Sequence, residues 1–397
     1  MSQAEEPDRV GDAPHPRETA ALFGQADAEQ AFLQAEAAGR LHHAWLLTGP
    51  HGVGKATLAW RIARHLIARA WPQTGLSLPP DAAPQTSLQM DPTHPVFRRC
   101  AALSEPRLTL IRRGRDERTE RLRGEITVNE IRALRGSLQL SAADGGWRVV
   151  IVDAAEEMNG AAANALLKFL EEPPPRVLFA LVSHRPARLL PTIRSRCRFL
   201  RLPPLDAAPL GQALAMATGK GRGPAAAHAS AADDPLGEAG EAAALAELAA
   251  LSGGSVGEAL RLAAGDGRAL YADLIALLAG LPTLDRSALA TFAASLSGRG
   301  AEGRRDLAER LLALSLARLA RSIALPGSLA EAAAGEMALA RRFAAHPGAA
   351  QRWAELAQRL PARLSQARSV NLDPSQVMLD TFLQIEETAR RLPPAAA

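Results

Sequence analysis

Cysteine and aromatic residues are scarce in this sequence. Its 397 residues include two cysteines, Cys100 and Cys197, and no C-x-x-C pair, so a structural zinc site and a disulfide framework are both disfavoured. Aromatic residues make up 4% of the chain, with a single tyrosine, which leaves little material for stacking single-stranded nucleic acid. We therefore expect a chain without zinc in a reducing, cytoplasmic compartment.

Long apolar runs and a strong charge imbalance are also missing. No stretch approaches the roughly 18 uncharged apolar residues typical of a membrane span, so we expect no membrane association. The polar N-terminus has the features of neither a signal peptide nor a transit peptide, and residues 1–18 are predicted to be disordered. The formal net charge of +4 is too small, at this length, to argue for direct DNA binding.

The first half of the chain alternates strand-like and helix-like segments. Four short apolar runs have the length of buried strands: residues 44–47, 108–111, 147–152 and 177–182. The segments 54–70, 126–140 and 159–172 repeat apolar residues at helical spacing, and Arg61 and Arg64 fall off the apolar face of the first of them. This order predicts an α/β domain with a parallel sheet that binds ligands at the carboxyl ends of its strands.

Beyond Pro203 and Pro204 the sequence becomes rich in alanine and helical in pattern. We expect a nucleotide-fold domain over residues 19–204, a small helical domain over 205–266 and a helical domain over 267–397. In the last domain a helix near residues 306–323 carries a leucine stripe, with Arg318 among the arginines roughly opposite. No catalytic constellation is visible there, so packing or oligomerisation is its expected role.

A phosphate-binding loop follows the first apolar run. Gly49, Gly54 and Lys55 match the first seven positions of G-x-x-x-x-G-K-[ST], in which backbone N–H groups and the lysine bind phosphates. Ala56 stands where a hydroxyl would bind Mg²⁺, and Thr57 is rotated from that position by about 100°. The predicted nucleotide-binding residues are Gly49, Gly52, Val53, Gly54, Lys55, Ala56, Thr57, Asp153 and Ser183.

Acidic and polar residues follow two of the other apolar runs. Asp153 ends the third run, where phosphate-loop enzymes keep an acid that organises Mg²⁺, but Ala154 stands where a water-activating glutamate is often found. Glu156 and Glu157 are interpreted as solvated acids at a helix start. Ser183 follows the fourth run, either to face a γ-phosphate or to cap the strand. The missing hydroxyl and base make hydrolysis by this chain alone doubtful.

Two arginine-rich segments allow two interpretations each. Residues 112–123 contain six arginines with three acids, and form either a solvated loop or a contact with DNA or a partner. Residues 193–198 place Arg194, Arg196 and Arg198 beside apolar residues. They form either a basic surface cluster or the source of an arginine that stabilises phosphate charge across a subunit boundary.

Several motifs, in order, resemble the bacterial clamp-loader AAA+ family. They are FGQ at residues 23–25, LHHA at 41–44, the phosphate loop, DAAE at 153–156, NALLKFLEEPP at 164–174 and PTIRSRC at 191–197. The resemblance covers residues 20–205, continues weakly at 253–260 and is faint near 370–372. It implies an AAA+ phosphate-loop domain, a helical lid and a helical collar.

The resemblance also implies a role and partners. Arg196 would be an arginine finger that reaches the ATP site of an adjacent subunit, in a ring that loads the sliding clamp onto primed DNA for DNA polymerase. Bound ATP or ADP would be the cofactor, with a weakened Mg²⁺ site. Ala154, and Gly257 in place of the nucleotide-sensing arginine of G-S-x-R, depart from the active motor subunits. A motor subunit of the same loader and a small-molecule phosphate-loop kinase are the two alternatives.

Overall fold

The structure is a computed structural model that describes residues 9, 13–69, 86–116, 122–140, 146–218, 235–298, 300–370 and 372–392, with the side chains of 139–140 and 235–242 left out. Part of the arginine-rich segment 112–123 lies outside these residues. The chain forms two compact units. The first unit is Met1–Pro224 with Ser255–Gly257, and the second unit is Ala225–Gly254 with Glu258–Ala397.

The first unit contains both helices and strands. Its helices are α1 (Ala26–Ala37), α2 (Lys55–Arg69), α3 (Pro95–Ala101), α4 (Val128–Leu140), α5 (Gly160–Glu171), α6 (Pro191–Arg194) and α7 (Ala207–Ala217). Its strands are β1 (Ala44–Thr48), β2 (Leu108–Ile111), β3 (Arg148–Asp153), β4 (Val177–Ser183) and β5 (Arg198–Arg201). The strand–helix alternation expected from the apolar runs is confirmed, and β5 is an additional strand.

The five strands form one parallel sheet in the order β2-β3-β4-β1-β5. Thr48 at the end of β1 is paired with Ser183 at the end of β4, and Asp153 at the end of β3 is paired with Val182. Because the strands are parallel and in register, their carboxyl ends meet along one edge of the sheet. We call this the carboxyl edge, and the other the amino edge.

Two apolar cores lie on the two faces of the sheet. On one face, Trp45 and Leu47 of β1 pack with the buried side of α2, including Leu58 and Ile62. On the other face, alternate residues of the same strands, such as Leu46, pack with α4 and α5. Sheets covered on both faces need strands that are apolar throughout, which accounts for the continuous apolar runs.

Two arginines of α2 correct an expectation. Arg61 and Arg64 fall off the predicted apolar face, yet both are buried. The guanidinium of Arg61 donates to the Glu29 carboxylate at 2.8 Å, and Arg64 donates to the carbonyl of Thr19 at 2.9 Å and lies 4.3 Å from the ring centre of Phe97. Buried guanidinium groups need such partners, so α2 is enclosed around most of its circumference.

The N-terminal segment is a second correction. Within the predicted disordered segment, residues 13–18 are folded, with a short 3₁₀ helix at Pro16–Glu18. His15 is 2% exposed, and its ring accepts a hydrogen bond from the backbone N–H of Arg17 at 3.1 Å. The Arg64 guanidinium donates to the carbonyls of Arg17 and Thr19. The segment is held because it supplies carbonyl partners to a buried guanidinium.

The remainder of the chain is helical, as expected. Its helices are α8 (Pro235–Ser252), α9 (Val256–Ala264), α10 (Gly267–Ala279), α11 (Arg286–Ser295), α12 (Glu302–Ala324), α13 (Glu336–Ala344), α14 (Ala349–Ser369) and α15 (Pro374–Arg390). In the part of the chain that the structure describes, no helix combines the length and the apolar character required to span a bilayer. The boundaries at residues 204 and 266 stay a prediction.

Helix α12 is buried on more than one side. Leu312, Leu316 and Leu319 form the expected buried stripe, and Leu307 and Leu311, which lie off that stripe, are buried too. Arg318 was expected on the polar face, but it is 6% exposed. The carboxylate of Glu336, in α13, neutralises its charge. Because Glu336 lies outside α12, the apolar periodicity of α12 gives no sign of this partner.

Candidate phosphate-binding site

The loop between β1 and α2 depends on three glycines with positive φ angles. Gly49, Gly52 and Gly54 have φ angles of 147°, 74° and 99°. A Cβ atom at Gly49 would lie 2.2 Å from the carbonyl oxygen of Leu202, and one at Gly52 would lie 2.2 Å from Oγ of Ser255. Glycine is therefore required both for the backbone conformation and for the close approach of neighbouring atoms.

Residues far from the loop in sequence hold it in place. The buried side chain of Gln25 donates from Nε2 to the carbonyls of Val53 at 3.1 Å and Pro203 at 2.9 Å. The carbonyl of Gly52 accepts from the backbone N–H of Val256 at 3.0 Å. These bonds fix the loop from two sides, and they supply partners to the carbonyls of Gly52 and Val53.

Lys55 is the first residue of α2 and is 3% exposed. Its Nζ donates to the carbonyl of Gly49 at 2.9 Å and to the carbonyl of Pro50. Burial lowers the pKa of Lys55 to about 8, and the negative charges of Asp153 and Glu156 oppose that shift. The ammonium group is thus placed at the loop, near the acids of the carboxyl edge, and is held there by carbonyls that a phosphate could replace.

The predicted residues of the loop and of the carboxyl edge come together. Ser183, at the end of β4, is fully buried and paired with Thr48 of β1. Asp153 ends β3, which pairs with the other side of β4. Since β1, β4 and β3 are adjacent in the sheet, the loop, Ser183 and Asp153 lie at one edge. The start of the fifteen-residue α2 adds backbone N–H groups and the positive end of a helix dipole. The arrangement suits an anion.

Glu156 has a structural contact that differs from the expected solvated helix start. It lies in a short 3₁₀ turn, and its Oε1 accepts the backbone N–H groups of His184 at 2.8 Å and Arg185 at 3.0 Å. Burial would raise the pKa of Glu156, but hydrogen bonds to its carboxylate outweigh burial and lower it. The carboxylate therefore ties the turn after β3 to the end of β4. Glu157 pairs with Arg113 at 2.9 Å.

The residues at the loop fit phosphate better than Mg²⁺. Lys55, the glycine backbone and the start of α2 supply positive charge and N–H donors. The methyl group of Ala56 cannot coordinate a cation, and the side chain of Thr57 projects about 100° away around the helix. The donors present are thus those of a phosphate site, with one hydroxyl ligand for Mg²⁺ missing.

Arg196 lies apart from this site. It follows α6 and precedes β5, and its guanidinium donates to the carbonyl of Thr192 at 3.0 Å and pairs with Glu171 at 3.0 Å. Its side chain is 36% exposed. Arg198 starts β5 beside Trp45 at the start of β1, so this segment is at the amino edge of the sheet. The structure therefore does not bring Arg196 to the loop of its own chain.

Four further residues at the site were not among the predicted nucleotide-binding residues. Gln25 and Ser255 contact the loop from about thirty residues before it and two hundred after it. His51, inside the loop, and His184, just after β4, pack ring against ring with centroids 4.6 Å apart. The FGQ motif at residues 23–25 and the weak similarity at 253–260 were the available signals for the first two. The histidine pair had no signal because its members meet only through the β1–β4 pairing.

The two cysteines are both buried in the first unit. Burial raises the pKa of Cys100 and of Cys197 to about 12, with Glu105 adding to the shift at Cys100. Cys197 is therefore a small buried residue with an unreactive thiol. Among the described residues no group of three or more histidine, cysteine or acidic side chains could hold a metal ion, and the expectation of no zinc stays a prediction.

The described ends of the arginine-rich segment lie close together. Arg115 and Leu122 form an antiparallel bridge, and the backbone N–H of Arg123 donates to the carbonyl of Gly114 at 2.9 Å. Arg123 also pairs with Glu130 of α4 at 3.6 Å. The described part of this segment is thus anchored to the domain, and its role stays a prediction.

A parallel sheet in this strand order, with a glycine loop between β1 and α2 and a lysine as the first residue of α2, defines a phosphate-loop α/β domain. Residues 24–206, which span this domain, match the family model described as "DNA polymerase III, delta subunit". Over this segment the chain is similar to DNA polymerase III subunits.

The individual proteins to which the chain is similar are also DNA polymerase III subunits. The chain is 37% identical over 220 residues to DNA polymerase III subunit delta′ of Pseudomonas aeruginosa, covering 55% of each chain. It is 31% identical over 192 residues to subunit tau of Escherichia coli, covering 48% of this chain and 26% of tau. The chain spans about half the length of the first of these relatives and less of the second.

A solved structure, that of a DNA polymerase III gamma subunit-related protein from Thermotoga maritima, is 18% identical to this chain. It aligns with 88% of this chain and 95% of its own, with a TM-score of 0.33. A TM-score of this size does not establish a shared arrangement of the whole chain.

Proposed function

We propose that this chain is a delta′-like subunit of a DNA polymerase III clamp loader. It helps to load a sliding clamp onto primed DNA, in a ring with other loader subunits and in complex with DNA polymerase. In this proposal residues 19–204 form the nucleotide fold, residues 205–266 a lid and residues 267–397 the collar that holds the ring together. Arg196 acts on ATP bound by a neighbouring subunit.

The observation that carries this proposal is the separation of Arg196 from its own phosphate loop. In the β1–β5 pairing, Arg198 lies beside Trp45 at the amino edge, whereas Arg201 lies beside Thr48 at the carboxyl edge. Arg196 precedes the first pair, and Gly49 follows the second. This separation supports a role for Arg196 at a phosphate outside its own chain.

The contacts of Arg196 leave it able to turn toward such a phosphate. Its ion pair with Glu171 joins two partly exposed side chains, with 36% and 50% of their surface accessible. Exposed pairs of this kind contribute about 0–1 kcal/mol, whereas an arginine placed on the transferring phosphate can contribute several orders of magnitude in rate. The ion pair with Glu171 is therefore weak enough for Arg196 to leave it.

The chain's own loop is proposed to hold ATP or ADP without efficient turnover. Ala56 supplies no metal ligand, and Ala154 supplies no base beside Asp153. Oε1 of the nearby Glu156 carboxylate accepts two backbone N–H groups, which gives this acid a structural role. These three features favour a delta′-like role over that of an ATP-hydrolysing motor subunit.

The experiment is ATP hydrolysis by the reconstituted loader with Arg196→Ala, Arg196→Lys and the control Arg188→Ala. Arg188 is exposed and belongs to the turn after β4. We expect Arg196→Ala to lower turnover by at least about 10³-fold in the site served by Arg196, because a trans arginine contributes that much. Arg196→Lys should restore only part of this, and Arg188→Ala none of the loss.

The same preparation distinguishes the alternatives. Unchanged turnover in Arg196→Ala loader of unchanged composition would refute the assignment of Arg196. ATP hydrolysis by the isolated chain at the rate of a motor subunit would favour the gamma/tau-like alternative. Phosphorylation of a metabolite by the isolated chain, without ring partners, would favour a kinase.

A further inference from the structure

Two histidines beside the phosphate loop, His51 and His184, pack their rings against each other. His51 is an exposed residue of the loop, and His184 directly follows β4 and is half-buried. Their rings pack edge to face, with centroids 4.6 Å apart and planes at 66°. The pairing of Thr48 with Ser183 brings them together, since His51 and His184 each follow these strand ends.

His184 is fixed through its backbone while one ring nitrogen stays unpaired. Its N–H donates to Glu156 at 2.8 Å. Nδ1 of its ring is buried and has no hydrogen-bond partner among the described residues. A buried polar atom without a partner costs free energy, so it marks a position where a ligand would complete the hydrogen bonding.

The phosphates of a nucleotide are negatively charged, so a loop that lacks a well-coordinated metal needs other positive groups or N–H donors to bind them. In phosphate loops of the usual kind the lysine and Mg²⁺ share the phosphate charge. Here Ala56 removes one metal ligand, while Lys55 is present and buried at the loop. The two imidazoles are on the same edge as Lys55 and are able to present N–H donors to phosphate oxygens.

We propose that the loop binds a nucleoside di- or triphosphate without Mg²⁺, with the imidazoles of His51 and His184 donating hydrogen bonds to phosphate oxygens in place of the metal. This inference rests on the proposed nucleotide-holding role of the loop and is independent of Arg196. The proposal gives the histidine pair a role in binding the nucleotide, not in hydrolysing it.

The electrostatics around His184 fit a site that is completed by an anion. Burial lowers the pKa of His184 to about 4, with Lys55, His51 and Arg185 adding to the shift and Glu156 opposing it. A phosphate beside the ring would raise this pKa, because it favours the charged imidazole. Binding should therefore take up a proton, and affinity should increase as the pH is lowered toward 6.

The test is calorimetric titration of the purified full-length chain with ADP, in excess Mg²⁺ and in excess EDTA. We expect equal affinity in the two conditions. His184→Asn and His51→Asn should each weaken binding by about 10- to 100-fold, the loss expected for a hydrogen bond to a charged group. His346→Asn, in the second unit, is the matched control and should bind as the parent chain does.

The variants separate binding from folding. His184→Asn keeps the backbone N–H that Glu156 accepts, and His51 is exposed, so both should retain the parent circular dichroism spectrum and unfolding temperature. The inference is overturned if the chain binds no ADP, if EDTA removes binding, or if both histidine variants bind with the parent affinity. None of these results changes the turnover measured with Arg196 variants in the loader, so the two proposals fail separately.

Discussion

Arg318 and Glu336 form a buried ion pair in the second unit, with Nε to Oε1 at 2.6 Å and side chains 6% and 3% exposed. The hydroxyl of Tyr271 donates to the same Oε1 at 2.8 Å. Arg318 also donates to the carbonyls of Ala250 at 2.9 Å and Ala330 at 2.6 Å. Every partner of the guanidinium is thus drawn from a different segment, which joins α8, α10, α12 and α13 at one point.

Removing one member of this pair should destabilise the second unit strongly. We expect Glu336→Ala to lower its free energy of unfolding by about 3–5 kcal/mol, because the guanidinium of Arg318 is left buried without a counter-charge. Urea denaturation followed by circular dichroism measures the change. Glu355→Ala, at an exposed position of α14, is the control, and a similar loss in both variants would contradict the role of burial.

A comparison with Gly39 separates two contributions of Gly52 to stability: its positive φ angle and its close approach to Ser255. Gly39 and Gly52 both have positive φ angles, 64° and 74°, but only a Cβ at Gly52 meets another atom. Gly39→Ala should cost about 1–2 kcal/mol from backbone strain alone. Gly52→Ala should cost more, because Ser255 must also move. Unfolding temperatures of the two variants test this, and equal shifts would show that the contact with Ser255 is dispensable.

Nucleotide affinity should also decline in alkaline solution. Burial lowers the pKa of Lys55 to about 8, so its ammonium is charged below that pH and neutral above it. A neutral amine attracts phosphate less, and ADP affinity should therefore fall between about pH 7 and pH 9. Lys55→Gln should bind weakly and lose this dependence, whereas Lys168→Gln on α5 should keep it. A flat profile for the parent chain would contradict the assignment.

Both thiols should be inert in the folded chain. Cys100 and Cys197 are buried, and burial raises the pKa of each to about 12, so almost no thiolate is present at neutral pH. A colorimetric thiol reagent should label neither cysteine under native conditions and both after denaturation. Rapid labelling of one thiol before unfolding would mean that its part of the first unit opens readily.

The sheet could be predicted because its signals are local. Apolar runs bounded by glycine or proline mark β1, β3 and β4, and the glycine spacing of the loop requires no knowledge of distant residues. Strand β5 was missed because Arg198, Phe199 and Arg201 are exposed, so its composition resembles a surface loop. Pairing with β1, rather than burial, makes it a strand.

The buried arginines show why the rest could not be predicted. Arg61, Arg64 and Arg318 have the side chains of a solvated face, and periodicity treats them so. Their partners, among them Glu29 and Glu336, are distant in sequence, and only the folded chain shows that these charges are neutralised. The histidine pair at the loop was invisible for the same reason.

Strand β5 runs from the amino edge of the sheet to its carboxyl edge. Its four residues, at about 3.3 Å each, make a link of roughly 13 Å between the Arg196 segment and Leu202. Leu202 donates to the carbonyl of Thr48 at 2.8 Å, and its own carbonyl faces Gly49. The backbone that begins at the arginine segment therefore ends against the phosphate loop, so one continuous strand joins the two ends of the sheet.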